Sequence, residues 1–243
     1  MANTLFLRLS SPLQSWGEDS QWSERRTAPE PTKSGIVGLL ACALGWSDDA
    51  RVSALARSVH VGVRCDAPGT LAPLVDYHTV GGGYKEPQLL DGRGKPKYVA
   101  NAKTPHTEPT WRYYLCDASF LVALRSDPDT IGELAQAVQF PVWQLYLGRK
   151  SCVPTVPPFE GIGDYASLED ALERFPARCV DQDQARGLVK RPRVVIECDP
   201  LEPGSVRRRD QTGSRKLRVF GPRYSYEYRA PGEIQIEFRE KGD

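Results

Sequence analysis

Val59-His60-Val61-Gly62-Val63-Arg64 alternates valine with polar or small residues, the period of two that marks a strand with one face in a core. Its neighbours decide which sheet it enters. Upstream, Thr4-Leu5-Phe6-Leu7-Arg8-Leu9 reads as the strand that starts the fold. Thr32 then opens a helix as its N-cap. Ile36, Val37, Leu39, Leu40 and Leu44 give that helix a broad apolar face, and Gly45 ends it. A second short helix is predicted over residues 49–57. Downstream, residues 112–124 return to strand character. Asp127-Pro128 caps another helix, whose Ile131, Leu134, Ala135 and Val138 recur at helical spacing. A further strand over residues 144–147 completes βαββαβ, the ferredoxin-like (RRM-like) arrangement of the α+β class.

Residues 1–160 are expected to form this domain, and residues 161–243 a smaller β-rich region packed on it. The latter carries a short acidic helix at residues 168–175 and strands at residues 193–198, 217–228 and 233–238. Between the second and third strands of the first domain lies an insertion rich in Gly, Lys and Pro. From Thr79 to Arg112 it holds six Lys or Arg and three acids, and it reads as a protruding basic arm built on a loose hairpin.

The whole chain of 243 residues has 32 basic and 31 acidic side chains and a 40% apolar composition. That balance excludes a disordered polyelectrolyte and a uniformly basic coat. It also hides segregation, because residues 202–229 carry eight basic and three acidic side chains. Within them Arg207, Arg208 and Arg209 read as a solvated loop or a contact to DNA. The longest apolar stretch, residues 35–46, falls well short of the ~20 residues a membrane span needs. The N-terminal residues have no secretion-signal pattern. Six cysteines stand singly and three histidines are dispersed. We therefore expect a reduced cytoplasmic protein with no metal site and no cofactor.

Several segments are suited to phosphates or bases. Thr32-Lys33-Ser34-Gly35 sits at a helix start, where free N–H groups and a partial positive charge attract anions; an ordinary capped core helix has the same pattern. Gln14 can bond a base edge and Trp16 can stack on a base, or the indole can pack on its own loop. Arg26 lies in the same polar loop. Gly148-Arg149-Lys150-Ser151 places two cations and a hydroxyl beside a glycine, which suits a backbone phosphate. Tyr77 and His78 open the arm; His78 is either a general base for RNA cleavage or a hydrogen-bonded anchor. No catalytic set emerges.

These residues, in this order, resemble the CasD family of RAMP subunits of the type I-E CRISPR surveillance complex, Cascade. The resemblance is carried by Leu9-Ser10-Ser11-Pro12-Leu13-Gln14-Ser15-Trp16-Gly17, by Pro31-Thr32-Lys33-Ser34-Gly35-Ile36-Val37-Gly38, by Asp76-Tyr77-His78-Thr79-Val80, by Thr110-Trp111-Arg112, by Tyr114-Leu115-Cys116-Asp117 and by Tyr146-Leu147-Gly148-Arg149-Lys150-Ser151-Cys152. It covers about residues 4–160. It implies a ferredoxin-like domain whose thumb is the arm, with Arg112 at its base entering the RNA. It implies a non-catalytic role gripping the 5′ handle of the CRISPR RNA (crRNA), beside a backbone subunit and a large PAM-reading subunit, with target DNA reached through the complex. The alternative is a metal-independent endoribonuclease that processes precursor crRNA through His78, with Tyr77 or Lys85.

Overall fold

The structure, a computed structural model, describes residues 1–17, 23–71, 75–81, 89–91, 94–100, 105–179, 181–214 and 219–238. The chain forms strand β1 (Thr4–Gln14), a short β2 (Glu24–Arg25), helices α1 (Lys33–Ala43) and α2 (Asp49–Ser58), then β3 (His60–Ala67) and β4 (Thr70–Leu71). Next come β5 (Asp76–Gly81), β6 (Thr107–Arg112), β7 (Leu115–Arg125), α3 (Pro128–Gln139) and β8 (Phe159–Gly163). The remainder is α4 (Leu168–Arg174), β9 (Ala177–Cys179), α5 (Gln182–Arg186), β10 (Arg193–Cys198), β11 (Val206–Ser214), β12 (Val219–Arg229) and β13 (Ile236–Phe238).

Most strands join one sheet in the order β11-β12-β10-β3-β7-β1-β8, with β4 attached to β7. Every neighbouring pair in it is antiparallel. The fold is thus a mixed α/β architecture on an antiparallel sheet. β10 pairs with β3, so the C-terminal strands extend the sheet that the N-terminal ones begin.

The period of two in β1, β3 and β7 sends alternate side chains to opposite faces. Leu5, Leu7, Leu9, Val61, Val63, Phe120 and Val122 meet Ile36, Leu40, Ile131 and Leu134 of α1 and α3. The other face offers Phe6, Leu121, Ala123, Val194 and Ile196 to Leu168 and Leu172 of α4. Arg8 and Arg64 also point to that second face, where both bond Asp66, Arg8 from Nη1 and Arg64 from Nε, each at 2.6 Å. Burial disfavours a charged Asp66, but the Arg64 and Arg8 guanidiniums outweigh it and hold the carboxyl below the usual range. All six cysteines are free, and burial pushes the Cys65 thiol up to about 12.

Two expectations need correcting. Residues 144–147 form no strand. Leu145 and Leu147 are buried, but they enter the core from a loop whose Leu147 carbonyl accepts from the Ser15 amide at 3.2 Å. The strand beside β1 is instead β8, fifteen residues beyond Gln144. Residues 206–214, read as a loop, form β11, because Arg208 and Asp210 turn inward to buried partners while Arg207 and Arg209 face solvent. The arm's root is an antiparallel pair of β5 and β6. Lys85, Arg93 and Lys103 of the arm lie outside the described residues.

Candidate nucleic-acid interface

The site starts where β1 ends. Gln14 is fully buried, and its Nε2 donates to the carbonyls of Leu9 at 3.1 Å and Ala118 at 2.7 Å. Its Oε1 accepts from Trp16 Nε1 at 3.0 Å. Trp16 is 1% exposed, and a Cβ on Gly35 would stand 2.8 Å from its ring. These two residues therefore do not read or stack on bases, as the sequence allowed. They fix the Ser15–Gly17 loop against the first turn of α1, and Gly35 is there because the indole leaves no room for a side chain.

The lysine of that turn is also a correction. Thr32 caps α1 by accepting the Gly35 amide, as its type predicts. Lys33, however, is 2% exposed; its Nζ contacts Glu197 at 2.6 Å and its amide donates to Asp210 at 2.8 Å. Burial drives its pKa below the ordinary lysine value against the pull of Glu197. Lys33 is a core ion pair and offers no charge to a phosphate. Ser34 and Gly38 line the open side of the helix instead.

Across from them, Gly148 adopts φ +92°, and a Cβ there would stand 1.7 Å from the Ser15 carbonyl oxygen. Only glycine fits both conditions, and the contact docks the 148–152 turn on the β1 loop. Arg149 thereby stacks on Tyr114, 4.5 Å from the ring centroid, and its Nη2 donates to the Arg25 carbonyl at 2.9 Å. Its buried Nη1 has no acceptor among the described residues. In the small sheet β2-β6-β5, Arg112 registers with Arg25 on one side and Asp76 on the other. Arg112 Nε is likewise buried with no acceptor among the described residues.

Two clefts result, of about 230 Å³ beside α1 and about 370 Å³ beside the arginines. They share Ser15, Gly17 and Gly148 and so form one groove. One wall is Thr32, Ser34, Gly35 and Gly38; the other is Arg25, Arg26, Arg112 and Arg149. Arg26 is exposed and paired with Glu24 at 2.9 Å. Buried guanidinium N–H groups without acceptors are costly, and a phosphate oxygen satisfies them with charge-assisted bonds.

The remaining sequence-predicted residues lie outside the groove lining. Lys150 and Ser151 are exposed on the adjoining turn. Tyr77 is 61% exposed, with its ring 5.6 Å from that of Trp111. His78 Nε2 lies 2.9 Å from Asp76 Oδ2, which also accepts from Tyr114 at 3.0 Å. These two bonds hold the Asp76 carboxyl below its usual range. Sequence reasoning missed Arg25 as a groove residue and Tyr114 as the platform under Arg149. The Arg25-Arg26 pair and the tyrosine two residues after Arg112 were the available signals. Among the described residues, no group of His, Cys, Asp or Glu is arranged to hold a metal ion, and no helix is long and apolar enough to cross a membrane.

A family model described as CRISPR-associated protein (Cas_Cas5) matches residues 4–231. The CRISPR system Cascade subunit CasD of Escherichia coli K12 is 40% identical over 186 residues, 72% of this chain and 78% of the relative. A crystal structure of a Cas protein superposes with a TM-score of 0.69 at 34% identity, covering 96% of this chain and 98% of the other. A chain of a CRISPR RNA-guided surveillance complex gives a TM-score of 0.71 at 29% identity, covering 98% and 95%. A match over nearly the whole chain, with the Gly148 turn, the Thr32 cap and the arginine wall meeting in one groove, leads to one conclusion: this chain belongs to the Cas5 family of CRISPR-associated proteins.

Proposed function

We propose that this chain is the RNA-binding subunit of a Cascade surveillance complex of type I-E and that the groove grips the sugar-phosphate backbone of the crRNA 5′ handle. The observation that carries the reading is the pair of buried donors, Arg112 Nε and Arg149 Nη1, left without acceptors among the described residues in a groove walled by four arginines. Phosphates position an RNA strand; a ligand with regularly spaced phosphates matches donors spread along a groove. The strand order β8-β1-β7-β3, with α1 and α3 as crossovers, supports a ferredoxin-like core. β5 and β6 are then the root of a thumb that reaches the neighbouring backbone subunit. The large PAM-reading subunit docks beside the handle, target DNA meets the complex rather than this groove, and the work is cytoplasmic.

The role is non-catalytic in this reading. Asp76 ties His78 and Tyr114 to one carboxylate oxygen, so the histidine serves as an anchor at the thumb root. Two experiments test the pair of statements. In assembled complexes, Arg112→Ala with Arg149→Ala should lower the crRNA recovered per complex about tenfold or more, the size of one or two charge-assisted bonds; full RNA content would refute the groove. Incubation of the protein with repeat RNA and EDTA should leave the RNA intact. Specific cleavage abolished by His78→Ala would replace the non-catalytic role with metal-independent processing.

A further inference from the structure

We propose a second nucleic-acid surface, for a single-stranded segment, on the outward face of β11 and β12, on the other side of the sheet from the groove's α1 wall. The run Arg207-Arg208-Arg209-Asp210 lies on a strand, so its side chains are sorted by face. Arg208 turns inward and donates to Glu30 at 2.8 Å. Asp210 turns inward too, where it accepts from Arg223 Nε at 2.8 Å and from the Lys33 amide. The inward charges are thus matched. Arg207 and Arg209 are exposed, and neither forms an ion pair among the described residues. The Cα atoms of Arg207 and Arg209, two residues apart on an extended strand whose ladder shifts register after Arg208, stand about 7 Å apart, a spacing from which two guanidiniums can reach successive phosphates on one nucleic-acid strand.

The aromatic partner is Tyr224, which registers with Arg207 across the ladder. Tyr226 and Tyr228, next on the same face, stack with centroids 6.0 Å apart, and their hydroxyls bond Glu169 and Glu173 of α4. Helix α4 therefore covers those two rings. Tyr224 lies beyond its reach, half-buried, with no hydrogen bond to its hydroxyl among the described residues. A half-open ring beside two uncompensated cations matches a strand that places a base on the ring and two phosphates on the arginines. A duplex would leave the ring unused.

The test uses the assembled, guide-loaded complex, in which the groove is filled. A pyrimidine single strand carrying 5-iodouracil is photocrosslinked and the adduct mapped by mass spectrometry, while affinity is followed by anisotropy across a salt series. The crosslink should fall on Tyr224. Arg207→Ala with Arg209→Ala should flatten the salt slope by about 1.4, two phosphates at about 0.7 each. Tyr224→Ala should weaken binding about tenfold, the loss of one stacked base, and Tyr224→Phe should restore it. Guide content, measured on the same samples, should stay constant, which separates failure here from failure of the groove. No adduct at Tyr224, or an unchanged salt slope, overturns the proposal. Equal weakening of duplex DNA overturns the single-strand assignment, and loss of a protein subunit in the double variant makes the patch a protein contact.

Discussion

Lys33 and Arg64 on one side, Arg112 and Arg149 on the other, are four cations in similar sequence settings with opposite roles. Lys33 and Arg64 are buried with their donors matched: Lys33 on Glu197, and Arg64 on Asp66 and the carbonyls of Leu172 and Phe175. Arg112 and Arg149 each keep a buried nitrogen with no acceptor among the described residues, at the wall of an open groove. Unused donors alone do not separate the two roles, because Arg8 also keeps buried Nε and Nη2 atoms without a hydrogen-bond partner among the described residues, but in the core beside Asp66 and Glu160. A cation's role is set by its partners and by whether its spare donors face an open groove. That depends on partners far away in the chain: Glu197 lies 164 residues from Lys33.

The strongest way to break this comparison is Asp66→Asn. It leaves Arg64 in the interior without its carboxylate and Arg8 with only Glu160, 3.9 Å from its Nε, and chemical denaturation should record a loss of about 3–5 kcal/mol, with any RNA loss secondary to unfolding. The same site sets an acid limit. The folded pKa of Asp66 lies below its unfolded value, so its contribution is complete above the ordinary aspartate value of about 3.9 and is lost as pH falls through the folded pKa. Urea midpoints measured from pH 5 downward should drop more steeply in the native chain than in Asp66→Asn.

Next in size is the groove. Arg149→Ala and Arg112→Ala should each cost about 1.5–3 kcal/mol in affinity for a 5′-handle oligonucleotide, with melting temperatures near that of the native chain. Lys33→Met should do the reverse, lowering stability by about 1–3 kcal/mol because Glu197 loses its partner, with oligonucleotide affinity unchanged in the folded fraction. A large affinity loss in Lys33→Met at native stability would erase the distinction. The smallest effect belongs to Lys150→Ala, on the exposed turn, where stability should stay within about 0.5 kcal/mol.

Much of the fold was legible because it is written locally. The alternation in β1 and β3, the Thr32 and Asp127 caps and the helical spacing of Ile131, Leu134 and Val138 depend on neighbours within a few residues. β8 was not legible: its sequence Phe159-Glu160-Gly161-Ile162-Gly163 carries two glycines and little apolar alternation, and it is a strand because β1 offers it an edge. β11 was hidden for a related reason, since its arginine run looks solvated until Glu30, 178 residues away, claims Arg208. For the site, the Gly148-Arg149 turn was visible as a glycine beside cations. Trp16 and Gln14 were misassigned because only the folded structure closes their hydrogen bonds onto each other and onto Ala118.

The salt dependence of 5′-handle binding tests the central claim most directly. In native protein and in Arg112→Ala/Arg149→Ala, the slope of log affinity against log salt counts the phosphates neutralised. The account predicts a slope shallower by about 1.4 in the double variant and unaltered in Lys33→Met. A slope that survives the loss of both arginines, or that falls with Lys33, would contradict it.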